Sequence, residues 1–273
     1  MLYYYAYTGH KIGLDRVKKA AAVIKELENN GIECRLLVND FRAGLAAREL
    51  DITDSITIET IQDIDAVAQS GNSVIIDSPE DDHGRLEKYC SEFHAVFVWR
   101  QSVEDVVRFS ETILDGIAVD KIYEEAIKLE KKERKLFFLN DADYDKVILN
   151  NSSLFEDIGI ELLLGHYFFV KYEDDLAKIF SKLHEPEEYM ELIQESKTVI
   201  TSSLQTAFEA KISGACVYFI NLKNESNTSV NYLSFNGIEV VDSISEIDFS
   251  TKCIDTSFNQ LEKIVQDILL KLN

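Results

Sequence analysis

Apolar residues along this chain follow two alternating patterns, and the alternation predicts the class of fold. Apolar runs of four to six residues are typical of buried strands, and segments with apolar residues at helical spacing separate them. The segment 15–30, for example, carries one apolar stripe from Val17 to Leu27, and Gly31 then provides a helix stop. Strands that alternate with helices are typical of parallel α/β sheets.

Two series of such elements are predicted, one on each side of a highly charged helical segment at 118–134. In the first series we expect strands at 2–7, 34–38, 55–58, 73–77 and 95–99, and helices at 15–30, 42–50, 61–69 and 84–92. In the second we expect strands at 135–139, 167–170, 198–201, 216–220 and 238–241, and helices at 187–195, 204–213, 228–235 and 258–272. The prediction is an α/β protein of two Rossmann-like lobes with a cleft between them, at 1–130 and 131–273.

Charge and cysteine content narrow the possible partners. The 273 residues include 49 Asp and Glu against 28 Lys and Arg, which gives a net charge of −21 spread over both halves. Nucleic-acid binding needs a basic face and anionic membranes need a basic patch, and the sequence shows neither. No apolar run approaches the roughly 20 residues of a membrane span. We therefore expect a cytoplasmic protein without nucleic-acid partners or membrane insertion, and the absence of a Cys-x-x-Cys pair indicates no zinc site.

The turn after the first predicted strand carries the first candidate chemistry. It reads Thr8-Gly9-His10-Lys11-Ile12-Gly13-Leu14-Asp15-Arg16. Glycines let the backbone approach a ligand closely, and the N-terminus of the following helix favours an anion. The spacing differs from Gly-x-Gly-x-x-Gly, so the dinucleotide fingerprint is absent. An ordinary loop with an exposed histidine is the alternative interpretation.

Two further segments follow predicted strands. Ser202-Ser203-Leu204-Gln205-Thr206 opens a helix and offers free N–H groups and hydroxyls as a phosphate cradle, with Glu209 one turn further on. A plain helix cap is the alternative. Asp77-Ser-Pro-Glu-Asp-Asp-His83 gathers carboxylates that a hard cation could use, but a solvated loop explains them better. We therefore expect no metal and no cofactor.

The stretches 195–214 and 224–237 resemble the nucleotide-binding unit of GT-B-fold proteins. They are most similar to the UDP-sugar hydrolases of pseudaminic acid biosynthesis, which cleave UDP from a 2,4-diacetamido-2,4,6-trideoxy sugar. More distantly, they resemble the N-acetylglucosaminyltransferases of peptidoglycan synthesis. The resemblance implies that UDP or a UDP-sugar is the ligand. It implies phosphate contacts at Ser202, Ser203 and Thr206, a ribose contact at Glu209, and diphosphate contacts at Asn227 and Thr228.

The catalytic histidine of the hydrolases can be matched to this chain in two ways. They carry Ile-Gly-x-Gly-His before the first helix. Aligning Gly13 on the first glycine places Arg16 at the histidine, and a guanidinium cannot accept a proton from water. Aligning Gly9-His10 on the Gly-His pair of the transferases keeps His10 as a base. Both alignments stay open from sequence.

Two functions follow from these alignments. In the first, His10 activates water or an acceptor hydroxyl, with Asp77 near the sugar. The protein is then a UDP-sugar hydrolase or glycosyltransferase-like enzyme that acts at the anomeric carbon, in surface-glycan biosynthesis. In the second, Arg16 marks a catalytically inactive descendant that binds a nucleotide sugar or a protein partner. The sequence predicts neither the sugar, the acceptor nor the oligomeric state. Because the ligand is an anion, its site should be locally neutral or positive.

Overall fold

The computed structural model describes residues 1–155, 158–250 and 259–272, and the strands among them form two parallel six-stranded sheets. The strands are β1 Leu2–Ala6, β2 Cys34–Val38, β3 Ser55–Thr57, β4 Ser73–Asp77, β5 Ala95–Trp99, β6 Thr112–Leu114, β7 Lys132–Phe138, β8 Glu161–Leu163, β9 Leu183–His184, β10 Ser196–Thr201, β11 Cys216–Ile220 and β12 Glu239–Val241. The helices are α1 Asp15–Asn29, α2 Phe41–Glu49, α3 Ile64–Val67, α4 Arg85–Glu92, α5 Lys121–Glu125, α6 Val147–Asn150, α7 Val170–Leu176, α8 Tyr189–Glu195, α9 Leu204–Ile212, α10 Asn227–Phe235 and α11 Leu261–Leu272.

The first of two compact units contains Met1–Gly9, Arg16–Asp120 and helix α11. Its strands lie in the order β3-β2-β1-β4-β5-β6. Strand β1 is central, and all five of its side chains are buried, because helices cover both faces of a parallel sheet. Tyr5 packs in a core with Ile76 and with Tyr89 of α4.

The second unit contains His10–Asp15 and the described residues 121–250. Its strands lie in the order β12-β11-β10-β7-β8-β9. Phe137 of β7 packs against Phe155 and Phe180, with ring centroids 4.7 and 6.3 Å away. Residues His10–Asp15, between β1 and the body of α1, therefore belong to the unit that carries the predicted phosphate cradle.

The α/β fold with two parallel sheets confirms the predicted fold class, while two local predictions are wrong. The helix predicted at 118–134 is helical only in α5 and a short 3-10 turn at Ala126–Lys128, and Lys132 already belongs to β7. The end of this charged segment, from Lys132 on, pairs with β10, and the pairing overrides the helical propensity of these residues. Residues 167–170, predicted as a strand, form a turn that leads into α7. The aromatic residues of this segment have strand propensity, which explains the prediction, but Phe169 is exposed and does not pack in the sheet. The strand there is β8, which pairs with β7.

Strands β6 and β9 and helices α6 and α7 were not predicted. The two strands and α6 are too short to show a period in the sequence, and four of the seven residues of α7 are charged. Within the described residues, no helix has the length and apolar character needed to cross a bilayer.

Candidate functional site

The turn His10–Asp15 contacts the carboxyl-terminal ends of strands in the second unit. Gly13 lies against Asn140, which follows β7, and a Cβ atom at Gly13 would be 1.8 Å from the Asn140 Oδ1. Gly13 has φ +91°, which also favours glycine. Asn140 is 6% exposed, and its Oδ1 has no hydrogen-bond partner among the described residues. A buried acceptor without a donor is costly, so this oxygen is suited to a ligand hydroxyl or N–H.

The N-terminus of α9 already holds a carboxylate from this turn. Ser203 is the N-cap residue, and its Oγ accepts a hydrogen bond from the Thr206 backbone N–H at 3.0 Å. The same hydroxyl donates to Asp15, whose carboxylate oxygens are 2.8 and 2.9 Å away. A helix N-terminus favours negative charge, and Asp15 supplies it. The sequence assigns this hydroxyl to a phosphate.

Behind Ser203, a buried polar network continues into α9. The Tyr189 hydroxyl lies 2.7 Å from Thr206 Oγ1 and donates to Glu209 Oε2 at 2.5 Å. Gln205 Nε2 donates to the other oxygen of Glu209 at 2.9 Å. Burial, followed by the charge of Glu209, raises the pKa of Tyr189 well above its usual value. Glu209, predicted to contact a ribose, is thus 2% exposed and bonded within the protein.

The other predicted nucleotide contacts lie on neighbouring strand ends. The Ser202 hydroxyl donates to the carbonyl oxygen of Ile220 at the end of β11, 2.5 Å away. Asn227 and Thr228 are exposed in the first turn of α10, whose N-cap residue is Ser226. Parallel strands place these loops at one edge of the sheet, where ligands bind in such folds. The roles of these residues stay predictions.

His10 and Lys11 lie beside an exposed aromatic ring. The ring centroids of His10 and Tyr144 are 5.3 Å apart, and the Lys11 Nζ is 4.6 Å from the centroid of Tyr144. Tyr144 is 55% exposed. This edge of the second unit thus combines an imidazole, an ammonium group and an exposed ring.

A histidine–aspartate pair at the ends of β7 and β8 was not predicted from the sequence. His166 Nδ1 lies 2.9 Å from Asp141 Oδ1. Asp141 is fully buried, and the His166 side chain is 15% exposed. The wrong strand prediction at 167–170 hid the pair, because it placed His166 before a strand. Placing the strand at 161–163 would have shown that both residues follow strand ends.

Lys223 is a second cation at this edge that the sequence did not single out. Its Nζ lies 3.5 Å from the carbonyl oxygen of Ala142, in the segment after β7. Among the described residues, no carboxylate lies within 4.0 Å of Lys223 or Lys11. Three carboxylates of this unit are bonded: Asp15 to Ser203, Asp141 to His166, and Asp143 to the N–H groups of Val147 and Ile148. Two ammonium groups are therefore available to an anion.

In the first unit, the structure brings Asp77 and Arg16 together. Asp77 ends β4 and is fully buried. Its carboxylate oxygens lie 3.2 Å from Arg16 Nε and 2.8 Å from Lys19 Nζ. Arg16 also donates to Gln101 at 2.8 Å. Burial, and next the charge of Asp77, raises the pKa of Tyr4, whose hydroxyl is 3.4 Å from the carboxylate.

A cavity of about 450 Å³ lies beside this ion pair in the first unit. Its lining includes Ser78, Trp99 and Gln101, which follow or end strands β4 and β5. Gln101 Nε2 donates to Asp77 Oδ1 at 3.3 Å. As for metals, no group of three or more potential ligands occurs in the described ranges.

Replacing Ser203 with alanine tests the internal cap of α9. The variant loses the bond to the Thr206 N–H and leaves the Asp15 carboxylate without this donor, so we expect about 2 kcal/mol of destabilisation in chemical denaturation. Ser226→Ala is the matched control, because Ser226 caps α10 in an exposed position and its loss should cost about 1 kcal/mol or less. Equal losses at the two caps would contradict a special role for Asp15.

Comparisons with known proteins identify the fold. No family model and no curated protein sequence matches the chain. Among solved structures, the UDP-GlcNAc 2-epimerase of Methanocaldococcus jannaschii, in complex with UDP-GlcNAc and UDP, matches with a TM-score of 0.61 and 12% identity over 99% of this chain and 100% of that one. A glycosyltransferase from Rickettsia africae matches with a TM-score of 0.55 and 9% identity, over 99% of this chain and 92% of that one. Acinetobacter baumannii MurG matches with a TM-score of 0.51 and 10% identity, over 100% of this chain and 90% of that one.

The chain has a GT-B-like fold. At these identities the likeness establishes the architecture of two parallel α/β sheets, and it spans nearly the whole chain.

Proposed function

We propose that this protein binds a UDP-sugar at the strand ends of its second unit and acts on it as a glycosyltransferase-like enzyme. The observation that carries the proposal is the N-terminus of α9, where Ser203 binds a carboxylate in the position that the sequence assigns to a phosphate. In the proposal, Asp15 marks an anion site. The diphosphate occupies this site or the space beside it, toward the N-terminus of α10 at Asn227 and Thr228.

The local charge is consistent with an anionic ligand in an acidic protein. Lys11 and Lys223 flank the segment after β7, and a diphosphate attracts both ammonium groups. Asn140 offers its acceptor oxygen to a hydroxyl or N–H of the same ligand. UDP-GlcNAc and UDP are the ligands in the structure of the M. jannaschii epimerase, which supports the choice of nucleotide.

The finer assignment is chemistry at the anomeric carbon. We propose hydrolysis of the sugar–diphosphate bond or transfer of the sugar to an acceptor hydroxyl, in surface-glycan or pseudaminic-acid-type biosynthesis. The sequence assigns the proton-accepting role to His10 and a place near the sugar to Asp77, and both assignments stay predictions. Release of UDP from UDP-N-acetyl sugars by the purified protein is the test, and binding without release would favour the non-catalytic descendant.

Arg16 favours a second candidate function, that of a catalytically inactive descendant which binds a nucleotide sugar. One alignment puts this residue at the catalytic histidine, and its guanidinium is bound to Asp77 and Gln101. A protein that binds UDP-N-acetylglucosamine but never releases UDP, with water or with any acceptor, would fit this function.

Lys223→Ala should weaken UDP binding about tenfold, because it removes a charge-assisted contact worth roughly 1.5 kcal/mol to the diphosphate. Isothermal titration calorimetry with UDP measures the change. Lys178→Ala is the control, since Lys178 belongs to the same unit but forms an exposed pair with Asp175. An unchanged dissociation constant for Lys223→Ala would remove Lys223 from the proposed site.

A further inference from the structure

We propose that His166, rather than His10, is the general base of this reaction, and that Asp141 is its positioning residue. The inference rests on the proposed function and names the group that moves the proton.

The geometry of the pair defines the state of the imidazole. Asp141 is buried, and its Oδ1 lies 2.9 Å from His166 Nδ1. A carboxylate accepts hydrogen bonds, so the bond places the proton of the neutral ring on Nδ1 and the basic lone pair on Nε2. The adjacent negative charge also stabilises the imidazolium that forms when Nε2 takes a proton.

The backbone around the pair is fixed independently of the side-chain bond. A Cβ atom at Gly165 would be 2.5 Å from the Asp141 carbonyl oxygen, so the turn after β8 packs directly on the segment after β7. The Tyr167 N–H donates to the same carbonyl at 3.0 Å. These backbone contacts hold the turn in place, and the buried carboxylate contacts the imidazole in addition. Its contact with a partly exposed imidazole is the arrangement of an oriented base.

His10 lacks such an orienting group. It is exposed, and its contact within the described residues is the ring of Tyr144 at 5.3 Å. No carboxylate in the described ranges lies within 4.0 Å of its ring nitrogens. A histidine held by an aromatic contact alone has no fixed tautomer, so it is less suited to proton abstraction than His166.

The position of His166 also suits the proposed ligand. The pair occupies the ends of β7 and β8, and the unpaired Asn140 oxygen lies in the residue before Asp141. In the step we propose for hydrolysis, the oxygen of a water molecule attacks the anomeric carbon. The bond from this carbon to the diphosphate oxygen breaks, and UDP leaves with the electron pair. His166 Nε2 takes the proton that the attacking water loses.

The first experiment compares three variants for UDP release from UDP-N-acetylglucosamine. We expect His166→Gln to lower kcat about a hundredfold or more, the range for loss of a general base. Asp141→Asn should lower kcat about tenfold with little change in KM, because it reverses the preferred tautomer without emptying the site. His10→Gln should lower kcat less than His166→Gln does, because no carboxylate in the described ranges orients its ring. A large loss in His10→Gln with an active His166→Gln would overturn the inference.

The second experiment measures the protonation of the His166 imidazole in the unmodified protein, so it does not require any variant to fold. In protein labelled with ¹⁵N-histidine, His166 should show a protonated Nδ1 and an unprotonated Nε2, and UDP-N-acetylglucosamine should shift its Nε2 signal. The opposite tautomer, or an unshifted signal in a complex, would overturn the inference while the proposed function stands. If UDP-N-acetylglucosamine neither binds nor reacts, the proposed function fails and the inference fails with it.

Discussion

Replacing Asp77 with alanine is expected to destabilise the protein by about 3 kcal/mol. Asp77 is fully buried and neutralises Arg16 and Lys19, whose charged atoms lie 3.2 and 2.8 Å from its oxygens. Removing one partner of a buried ion pair costs about 3–5 kcal/mol, because the remaining charge stays desolvated. The lower end applies here, since the side chains of Arg16 and Lys19 are 22% and 17% exposed and can turn toward water. Urea denaturation measures the loss.

Asp54→Ala is the matched control for this prediction. Asp54 pairs with Arg35 at 2.7 Å, but its side chain is 65% exposed, so the pair contributes about 1 kcal/mol or less. If Asp77→Ala were as stable as Asp54→Ala, the buried ion pair would not stabilise the first unit. Asp77 would then be free to act on a ligand, as the sequence predicts.

Replacing Gly165 with alanine is expected to cost about 3 kcal/mol and to displace the His166–Asp141 pair. The new methyl group would lie 2.5 Å from the Asp141 carbonyl oxygen and 2.7 Å from that of Asn140. Neither neighbour is a flexible side chain, so the strand-end segments must move apart, and forced overpacking of this kind typically costs about 1–3 kcal/mol. Thermal unfolding measures the stability, and histidine NMR reports the position of His166.

Gly44→Ala provides the comparison. Gly44 lies inside α2, where alanine is favoured over glycine by roughly 0.5–1 kcal/mol, and the nearest neighbour of a new methyl group is the Ser55 hydroxyl at 3.0 Å. We expect this variant to keep its stability within about 1 kcal/mol. A Gly165→Ala protein as stable as Gly44→Ala would show that the strand ends are not in close contact.

Much of the fold could be predicted because buried parallel strands are continuous apolar runs. Strands such as 73–77 and 216–220 match the structure at both ends, since every residue in them is buried. The prediction failed where tertiary pairing decides the structure. Lys132 lies in a strand because β7 pairs with β10, and no local pattern shows this pairing.

The candidate site was only partly predictable for a related reason. Ser203 and Thr206 follow a strand with a clear pattern, so their position at a helix N-terminus could be derived. The bond between Ser203 and Asp15 joins residues 188 positions apart, and a single sequence does not show it. His166 was missed because β8 is only three residues long.

The most direct test of the central claim is the thermal unfolding of the protein with UDP and with UDP-N-acetylglucosamine. A ligand present at 100 times its dissociation constant stabilises the folded protein by about 2.7 kcal/mol, so a saturating nucleotide should raise the unfolding temperature clearly. We expect this rise for both compounds, and a smaller rise for Lys223→Ala at the same concentration. An unfolding temperature that neither compound changes would contradict the proposed nucleotide site.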